Sequence, residues 1–447
     1  MKVLSTLSLL LIFIIYPLST PKTIPDTIVI PKPVNSKNIP FRSVPESKLD
    51  KTQHILRAAE EIKLTETDFT IVDLYKVVPT LYIDKQDSEY DGINLIAETL
   101  KADLALIIGE KVDDEGKAED STNGLKIITD KSELSGKVII AGTYGENGND
   151  VINELIEKGT IDVVDLENRW ESYLMQVVRK PLTGVDEALV IVGTNKRGTI
   201  YGLLHISEMM GISPWVWWAD VLPEKQSKVV LPGSECNIIS KEPSIKYRGI
   251  FLNDEAPSLT TWTSKRYGGR NQYFYKQVFI LLLRLKANYL WPSMWDDTFS
   301  EDGKDDKQAN AKLADAYGIV MGTSHHEPCY RAGKEWSRYY KKDLPYTSGQ
   351  AWNLYNKPGE QGYNEKVNKE IEEFWESGVK RNKEFDNICT VGMRGEDDST
   401  LPAANNPPKY AELLNYIINT QKKILENQND KNPTQLVIYE RHIWNVL

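Results

Sequence analysis

The sequence predicts an α/β fold, in which an amino-terminal α/β domain is followed by an incomplete (β/α)8 TIM barrel. Short apolar segments alternate with helical segments from about residue 51, and near Ser244 this alternation becomes a regular strand-then-helix rhythm. At 447 residues the chain is about three times as long as a typical domain, so we expect two domains. We predict an α/β domain over residues 51–240 and a partial barrel of about five strands over residues 241–447.

Residues 1–20 are predicted to be a signal peptide. One lysine precedes an apolar run of roughly fifteen residues, which is short for a bilayer span, and Pro17 and small hydroxyl residues follow. An uncleaved membrane anchor is the alternative, because no small-x-small cleavage site is clear and Pro21 would obstruct cutting just before it. The signal-peptide interpretation predicts a secreted, extracellular protein with no stable membrane association after cleavage.

Residues 21–50 are predicted to form an extended, proline-rich lead-in, and ordered patterning begins near His54. Strands are then predicted at LALIIG (104–109) and KVIIAGTYG (137–145), and a helix at NDVINELIEKG (149–159). The segment EALVIVGTNKRGTIYGLLHISEMMG (187–211) predicts a buried strand that runs through a glycine turn into a helix. Its GTNKRG turn lacks the full glycine pattern of a phosphate loop, so simple turn geometry is favoured over anion binding.

Strands and helices alternate regularly after Ser244. The predicted strands are IKYRGIFLNDE (245–255), ANYLWPSMW (287–295), IVMGTSHH (319–326), ICTVGMRGEDD (388–398) and TQLVIYE (434–440). The predicted helices are YKQVFILLLRLKAN (275–288), KQANAKLADAYG (307–318), EKVNKEIEEFWESGVKRNKEF (365–385) and PPKYAELLNYIINTQKKILEN (407–427). Repeated units of this kind indicate a parallel sheet, here interpreted as a (β/α)8 barrel.

Each of the first four predicted barrel strands ends in polar or aromatic residues. The active sites of such barrels lie at the carboxyl ends of the strands. In strand order, these end residues are Asn253, Asp254 and Glu255, then Trp291 and Trp295, then His325 and His326, then Arg394, Glu396, Asp397 and Asp398. Their positions predict one functional site at one end of the barrel.

The composition narrows the classes of function. The 64 acidic and 54 basic side chains give a net charge of −10 without a local basic stripe, which argues against a nucleic-acid partner. The 11 tryptophans and 22 tyrosines are typical of sugar-binding clefts, although core packing also uses such residues. Three widely separated cysteines permit at most one bridge, so the chain is not a disulfide scaffold.

Four motifs, YRGIFLNDE, KANYLWPSMW, GTSHHEP and VGMRGEDD, resemble in this order and spacing those of glycoside hydrolase family 115, the xylan α-1,2-glucuronidases or α-(4-O-methyl)-glucuronidases. The segment RGTIYGLLHISEMMGISPWVWWADV also resembles this family, and the likeness extends from about residue 185 to 428. The resemblance implies a glycoside hydrolase that releases (4-O-methyl)glucuronic acid side chains from glucuronoxylan with inversion. We expect a xylan-type polysaccharide or oligosaccharide as substrate and no cofactor.

The chain ends just after the fifth predicted strand, so we expect a carboxyl-truncated family member. An incomplete barrel cannot close, and we therefore expect the chain by itself to lack appreciable activity. Two other classes stay open. One is a noncatalytic carbohydrate-binding remnant, which would bind glucuronoxylan without releasing product, and the other is a metal-dependent hydrolase, which would be sensitive to chelators.

The resemblance implies a pair of catalytic carboxyl groups. In inverting glycosidases one carboxylic acid protonates the leaving oxygen while a carboxylate on the opposite face activates water. The family pattern places one carboxylate after the Gly-Met-Arg-Gly turn, which is Asp398 here, and a second in a Tyr-Lys-Glu-Val motif at the end of the fifth strand. This chain has Tyr439 and Glu440 there without the intervening lysine, so Glu440 is the second candidate. Which of the two acts as acid and which as base stays open.

Substrate-binding roles are predicted for other residues at the strand ends. Asn253 and Asp254 suit bidentate recognition of sugar hydroxyls, and Trp291 or Trp295 suits stacking on a sugar face. Arg394 offers a bidentate fork for the carboxylate of a uronic acid. The alternatives are core packing for Trp291 and an ion pair with Asp254 or Asp398 for Arg394.

The adjacent His325 and His326 are predicted to form hydrogen bonds to substrate. Successive strand side chains face opposite ways, and no third ligand follows at a spacing that zinc requires, so a metal site is not favoured. Two structural histidines are the other alternative. Neutral or charged imidazoles can bind sugar hydroxyls or a uronate, and both residues are therefore placed in the wall of the substrate pocket.

Overall fold

A computed structural model describes residues 67–74, 78–113, 116–118, 124–252, 257–292, 297–324, 327–332, 335–336, 354–393, 401, 405–428 and 435–438. The strands are β1 (Phe69–Asp73), β2 (Thr80–Ile83), β3 (Lys126–Ile128), β4 (Gly136–Thr143), β5 (Tyr173–Arg179), β6 (Val185–Gly193), β7 (Lys228–Leu231), β8 (Ile238–Ile239), β9 (Gly249–Phe251), β10 (Tyr289–Trp291), β11 (Val320–Met321), β12 (Ile388–Val391) and β13 (Gln435–Ile438). The α-helices are α1 (Tyr90–Ile108), α2 (Asp150–Glu157), α3 (Lys196–Met209), α4 (Gly233–Cys236), α5 (Ser258–Tyr267), α6 (Gln272–Arg284), α7 (Ala309–Ala316), α8 (Glu365–Asn382) and α9 (Pro407–Gln428). No helix in these ranges is both long enough and apolar enough to span a bilayer.

The first part of the chain folds around a six-stranded sheet with the order β3-β2-β4-β6-β5-β8. Strands β2, β3, β4 and β6 pair in parallel, whereas β5 pairs antiparallel with both β6 and β8. Alternate residues of β4 enter opposite cores: Ile139 packs in the core that contains helices α1 and α3, and Val138 in the core that contains helix α2. Both faces of the sheet are therefore covered, which explains its continuous apolar strands and confirms the predicted α/β fold.

The predicted strand at residues 104–109 is wrong. LALIIG forms the carboxyl-terminal end of helix α1, which ends at Gly109 in a left-handed conformation with φ of 82°. Within the helix, Ile93, Ile96, Leu100 and Leu104 recur at a helical spacing, and all are buried. The six residues LALIIG are too few to distinguish this helical spacing from the continuous apolar run of a buried strand.

The second part of the chain contains short parallel strands in sequential order. Strand β10 pairs in parallel with both β9 and β11, and β12 pairs in parallel with β13. A parallel bridge between Met321 and Asn387 connects β11 with the start of β12. The parallel strands predicted from the sequence are confirmed at all five positions, although each is shorter than its predicted segment. The incomplete barrel remains a prediction.

One hydrophobic core extends across the predicted domain boundary. It contains Ile93 of helix α1 and Leu204 of helix α3 together with Phe279 of helix α6 and Tyr317 after helix α7, and all four side chains are buried. A second core packs helices α8 and α9 against β12. The division into domains near residue 240 stays a prediction.

The GTNKRG turn at the start of helix α3 contacts the second part of the chain. Asn195 caps the helix, and its side chain accepts a hydrogen bond from the Gly198 amide at 2.9 Å. Lys196 Nζ donates to the carbonyl of Asp315 at 3.1 Å, and Arg197 Nη1 donates to the carbonyl of Gly318 at 2.9 Å. The basic side chains of the turn therefore support the fold next to β11.

Candidate active site

Of the predicted site residues, Trp291 lies within the described residues. Asn253, Asp254, His325, His326, Arg394, Asp398 and Glu440 lie outside them, as do Glu255, Trp295, Glu396, Asp397 and Tyr439. The residues that flank these positions are described at the carboxyl ends of β9, β10, β11 and β12. The geometry of the strand ends is therefore defined by these flanking residues.

Strands β9 and β10 end in an aromatic pair. The rings of Phe251 and Trp291 are 5.7 Å apart at an interplanar angle of 75°, an edge-to-face contact. Phe251 is 39% exposed, and Trp291 is half-buried beside a small core of Tyr289, Val320 and Ile388. Trp291 therefore packs in part against this small core, and its role in stacking on a sugar face stays a prediction.

The orientation of Trp291 is fixed by its neighbours. Its indole Nε1 donates a hydrogen bond to the Tyr289 hydroxyl. A Cβ atom added to Gly322 would lie 1.8 Å from that hydroxyl and 2.6 Å from the indole nitrogen, so a side chain does not fit there. The glycine that opens the GTSHHEP motif therefore leaves the space that Trp291 and Tyr289 occupy.

The GTSHHEP segment is anchored at both ends of the histidine pair. Thr323 Oγ1 donates to the carbonyl of Glu327 at 2.8 Å, and Thr390 Oγ1 of β12 donates to the carbonyl of Thr323 at 2.6 Å. A cavity of about 20 Å³ is lined in part by Thr323, Glu327 and Glu335. One water molecule needs a cavity of roughly 10–15 Å³, so this volume is sufficient for one.

Glu327 is a carboxyl group that the sequence analysis missed. Its side chain is only 4% exposed, and Oε2 accepts a long hydrogen bond of 3.4 Å from the Ser324 amide. Burial, with smaller contributions from the charges of Glu335 and Asp297, raises the pKa of Glu327 to about 8. The group is therefore protonated at neutral pH, and a carboxylic acid in this state can donate a hydrogen bond or a proton. In the sequence, only its place between the histidine pair and Pro328 distinguishes it.

A buried ion-pair network lies beside Glu327. Glu335 accepts hydrogen bonds from Arg331 and, at 2.6 Å, from Arg381 Nη2, while Arg381 Nη1 also bonds Glu301 at 2.7 Å. The side chains of Arg331 and Arg381 are 9% and 12% exposed. The positive charge of Arg381 opposes the rise in the pKa of Glu327. The network holds helix α8 against the segment that carries the GTSHHEP motif.

The exit from β12 is held by a side chain of helix α9. The Gly392 amide donates to Gln421 Oε1 at 2.7 Å, and Gln421 Nε2 donates to the Gly392 carbonyl at 3.0 Å. Gln421 is fully buried, and Gly392 has a φ of 107°, which favours glycine. These contacts define the chain direction directly before Met393 and the predicted site residues that follow it.

The opposite ends of the strands carry structural residues of the same motifs. Arg248 of YRGIFLNDE donates to Glu171 at 2.5 Å, and Glu171 also binds Arg197 at 2.5 Å and Asn288 at 2.7 Å. Arg248 further donates to the carbonyl of Lys286 at 2.8 Å. The first residues of the motif therefore support the fold, whereas its last residues were predicted for the site.

The histidine pair lies outside the described residues, and its role in binding substrate stays a prediction. Among the residues that the structure does describe, no group of three or more histidine, cysteine, aspartate or glutamate side chains is arranged to hold a metal ion.

Comparisons with known proteins agree with the motifs. Residues 240–445 match the model of glycosyl hydrolase family 115. The chain is also similar to BtGH115A, described as a novel family GH115 4-O-methyl-α-glucuronidase with specificity for decorated arabinogalactans, with 27% identity and a TM-score of 0.60 over 83% of this chain. The matched region covers 42% of that chain, so this protein spans less than half the length of BtGH115A. The resemblance predicted from the sequence is confirmed.

Two further solved structures are more remote. CpGH84D has 11% identity and a TM-score of 0.37 over 80% of this chain and 46% of its own. A GH138 enzyme described as targeting pectin rhamnogalacturonan II has 10% identity and a TM-score of 0.36 over 80% of this chain and 44% of its own. At these values neither likeness bears on fold or function. No curated protein matches the chain.

Proposed function

We propose, because residues 240–445 match glycosyl hydrolase family 115, that the protein is a glycoside hydrolase acting on glucuronic acid side chains of a polysaccharide. The family match is the observation that carries this proposal. The order of the parallel strands supports it, since the motif residues follow strands whose carboxyl ends lie at one edge of their sheets. BtGH115A, which is described as a 4-O-methyl-α-glucuronidase, supports the class of substrate.

Asp398 and Glu440 are proposed as the catalytic pair. One carboxylic acid protonates the glycosidic oxygen as the bond to the anomeric carbon breaks, and the other carboxylate takes a proton from the attacking water. Water enters on the face opposite the leaving group, so the anomeric configuration inverts. Asn253, Asp254, His325 and His326 are proposed to bind sugar hydroxyls, Arg394 the uronate carboxylate and Trp291 a sugar face. The half-buried indole of Trp291, fixed by Tyr289, supports the last of these roles.

The polysaccharide backbone is proposed to be glucuronoxylan. A glucuronic acid substituent on an arabinogalactan presents the same charged sugar to the site, and BtGH115A is described as specific for decorated arabinogalactans. The shared chemistry is a terminal uronic acid on a neutral chain. Separate assays on the two polysaccharides distinguish the two backbones.

Because the sequence analysis predicts that this chain lacks appreciable activity, the released uronic acid is measured for the purified chain and for a version with a complete barrel. Each is incubated with 4-O-methylglucuronoxylan and, separately, with glucuronic-acid-decorated arabinogalactan, and the effects of substitution on release are expected in the complete version. Asp398→Ala should reduce release by about 10²–10⁴-fold, the usual contribution of a general acid or base. Asp306→Ala is the matched control, because this aspartate lies in an exposed loop and should leave release unchanged. Proton NMR of the first product should show the inverted anomer.

Three outcomes are informative. Release from arabinogalactan alone would replace the proposed backbone and keep the proposed class of reaction. Saturable binding to either polysaccharide without release would support a noncatalytic carbohydrate-binding protein. Activity that is retained in Asp398→Ala to more than a tenth would remove Asp398 from the catalytic pair.

Secretion through a signal peptide at residues 1–20 is also proposed. These residues lie outside the described part of the chain. Sequencing of the mature amino terminus after expression in a secreting host tests this proposal, and an intact Met1 in a membrane fraction would favour the uncleaved anchor instead.

A further inference from the structure

A cleft lies on the helical surface of the protein, apart from the strand ends. It has a volume of about 220 Å³ and is bounded by helix α1, helix α6 and residues 214–222. None of the residues that line it belongs to a strand end of β9 to β12. The volume is below the roughly 300–1,000 Å³ of pockets for drug-sized ligands, and suits a short stretch of a chain-like ligand.

One wall of the cleft is aromatic and rigid. Trp217 and Trp218 are both half-buried, and their rings make an edge-to-face contact at 4.8 Å. Trp218 Nε1 donates to the carbonyl of Gln277 at 3.3 Å, and its ring also meets Phe274 edge-on at 6.3 Å. Ring positions that packing already fixes lose little conformational entropy when a ligand binds.

The other walls carry polar groups of both signs. Asp103 and Arg284 form a doubly hydrogen-bonded ion pair, with distances of 2.7 and 2.8 Å. Arg266 is exposed and lies with its guanidinium 5.1 Å from the centre of the Trp217 ring. Asp113 and Asp220, also exposed, complete the charged lining. Two arginines thus face three aspartates, so the cleft has no excess of positive charge that would favour a uronate or a phosphate.

We propose that this cleft is a second carbohydrate-binding site, and that its ligand is the neutral backbone of a polysaccharide. Sugar rings present C–H groups on their faces and hydroxyls on their edges, which matches an aromatic wall flanked by donors and acceptors. Trp217 provides the apolar contact, Arg266 donates to ring-edge hydroxyls, and Asp220 accepts from them. The proposal rests on the proposed function only in taking a polysaccharide as the substrate.

Through this site the protein would bind stretches of the polysaccharide backbone that carry no uronic acid. A polysaccharide that is long enough to occupy both this cleft and the strand ends is held by two contacts. Its branches then have a higher effective concentration at the active site. The two sites should therefore prefer different ligands. The proposed active site requires an arginine for the uronate, whereas the arginines of this cleft are balanced by its aspartates.

The test measures binding of xylohexaose and of a β-1,3-linked galacto-oligosaccharide to the full chain by isothermal titration calorimetry. Saturable binding of at least one probe is expected, and Trp217→Ala should weaken it roughly tenfold or more, the loss expected for one aromatic contact. Arg266→Ala should weaken it in the same direction. This second variant keeps the test valid if Trp217→Ala does not fold, because Arg266 is exposed.

Trp215→Ala is the matched control. Trp215 lies in the same segment and is 48% exposed, but it does not line the cleft, so binding should be unchanged. Absence of saturable binding, binding that none of the cleft variants weakens, or equal weakening by Trp215→Ala would overturn the proposal. Loss of a dimer in Trp217→Ala on size exclusion would assign the cleft to self-association instead and would also overturn it.

Both probes lack uronic acid, so the test is independent of the proposed reaction. Release of uronic acid from a polysaccharide without probe binding would contradict this site and leave the proposed function intact. Probe binding without release would contradict the function and leave the site intact.

Discussion

Gln421 of helix α9 and Gly392 at the end of β12 exchange two hydrogen bonds, one in each direction, at 2.7 and 3.0 Å. The side-chain amide of Gln421 therefore satisfies both backbone groups of a glycine whose conformation is left-handed. Two residues farther along the chain is Arg394, and six residues farther is Asp398. A helix side chain thus sets the chain direction directly before the residues that are proposed to include the catalytic carboxylate.

Replacement of Gln421 by leucine should destabilise the protein. It would leave the amide and carbonyl of Gly392 buried without their partners, at a cost of about 1–3 kcal/mol for each group. Urea unfolding should show the lower stability, and uronic acid release should fall as well because the exit from β12, directly before the proposed site residues, loses its anchor. Asn427→Leu, at an exposed position of the same helix, is the control. If the urea midpoint of Gln421→Leu equals that of the wild type, water has replaced the side-chain amide at Gly392.

Glu327→Gln should stabilise the protein, and more so at high pH. Burial raises the pKa of Glu327 in the folded protein to about 8, above its ordinary value of 4.5, so the folded state holds the proton more tightly than the unfolded state. Stability contributed by this group is therefore complete below about pH 4.5 and is lost as the pH rises through about 8. The amide stays neutral and avoids this loss.

Full ionisation of Glu327 should lower the free energy of unfolding by an amount on the order of 5 kcal/mol, since one pKa unit corresponds to about 1.36 kcal/mol. The free energy of unfolding of wild type and variant should be compared at about pH 5 and about pH 9. The difference between them should grow with pH, whereas the exposed Glu373→Gln should show no such trend. A difference that is constant with pH would mean that Glu327 does not titrate in this range.

Glu171→Ala should strongly destabilise the protein. The Glu171 side chain is 1% exposed and binds the guanidinium groups of both Arg197 and Arg248. Its removal deprives Arg248 of this carboxylate and leaves Arg197 with the longer contact to Asp386 at 3.4 Å. Breaking a buried ion pair in this way typically costs about 3–5 kcal/mol. Thermal unfolding of Glu171→Ala and of Glu373→Ala, whose glutamate forms an exposed ion pair with Lys369, provides the comparison. Similar melting temperatures for the two variants would show that the Glu171 network contributes little.

Gly322→Ala should disturb Trp291. The new methyl group would overlap the Tyr289 hydroxyl and approach the indole nitrogen, so both aromatic side chains must move. We expect a lower melting temperature and weaker uronic acid release. Gly145→Ala is the comparison: a Cβ atom there meets nothing within 4 Å, so its φ of 99° should lower the melting temperature through backbone strain alone and leave uronic acid release unchanged. If Gly322→Ala melts and reacts like wild type, the indole is not held by this contact.

The elements with clear periodicity were predictable from the sequence. Strand β4, helix α2 and the unit of β6 and α3 lie where alternation and helical spacing predicted them. Helix α5, which the sequence analysis did not predict, has only one buried residue, Thr263, and therefore shows no apolar face. The prediction for LALIIG was wrong for the opposite reason. This end of helix α1 is apolar on nearly every side, so these six residues show no helical periodicity of apolar and polar residues.

The candidate site was predictable only as a set of positions. Sequence order places residues at strand ends, but the raised pKa of Glu327 depends on its burial and on the charges of Glu335 and Asp297. The exit from β12 depends on Gln421, 29 residues away. The orientation of Trp291 likewise depends on Gly322, which follows the neighbouring strand β11. Such contacts arise from the folded chain, and no local pattern in the sequence encodes them.

The core shared by helices α1, α3 and α6 has a consequence for biosynthesis. Leu204 leaves the ribosome well before Phe279 of the same core, which lies 75 residues later in the chain. At a synthesis rate of about 5–20 residues per second, the apolar side chains of helix α3 that pack towards helix α6 stay uncovered for roughly 4–15 seconds. A translational pause within this stretch would lengthen that exposure, so the yield of soluble protein should depend on codon choice between these two positions.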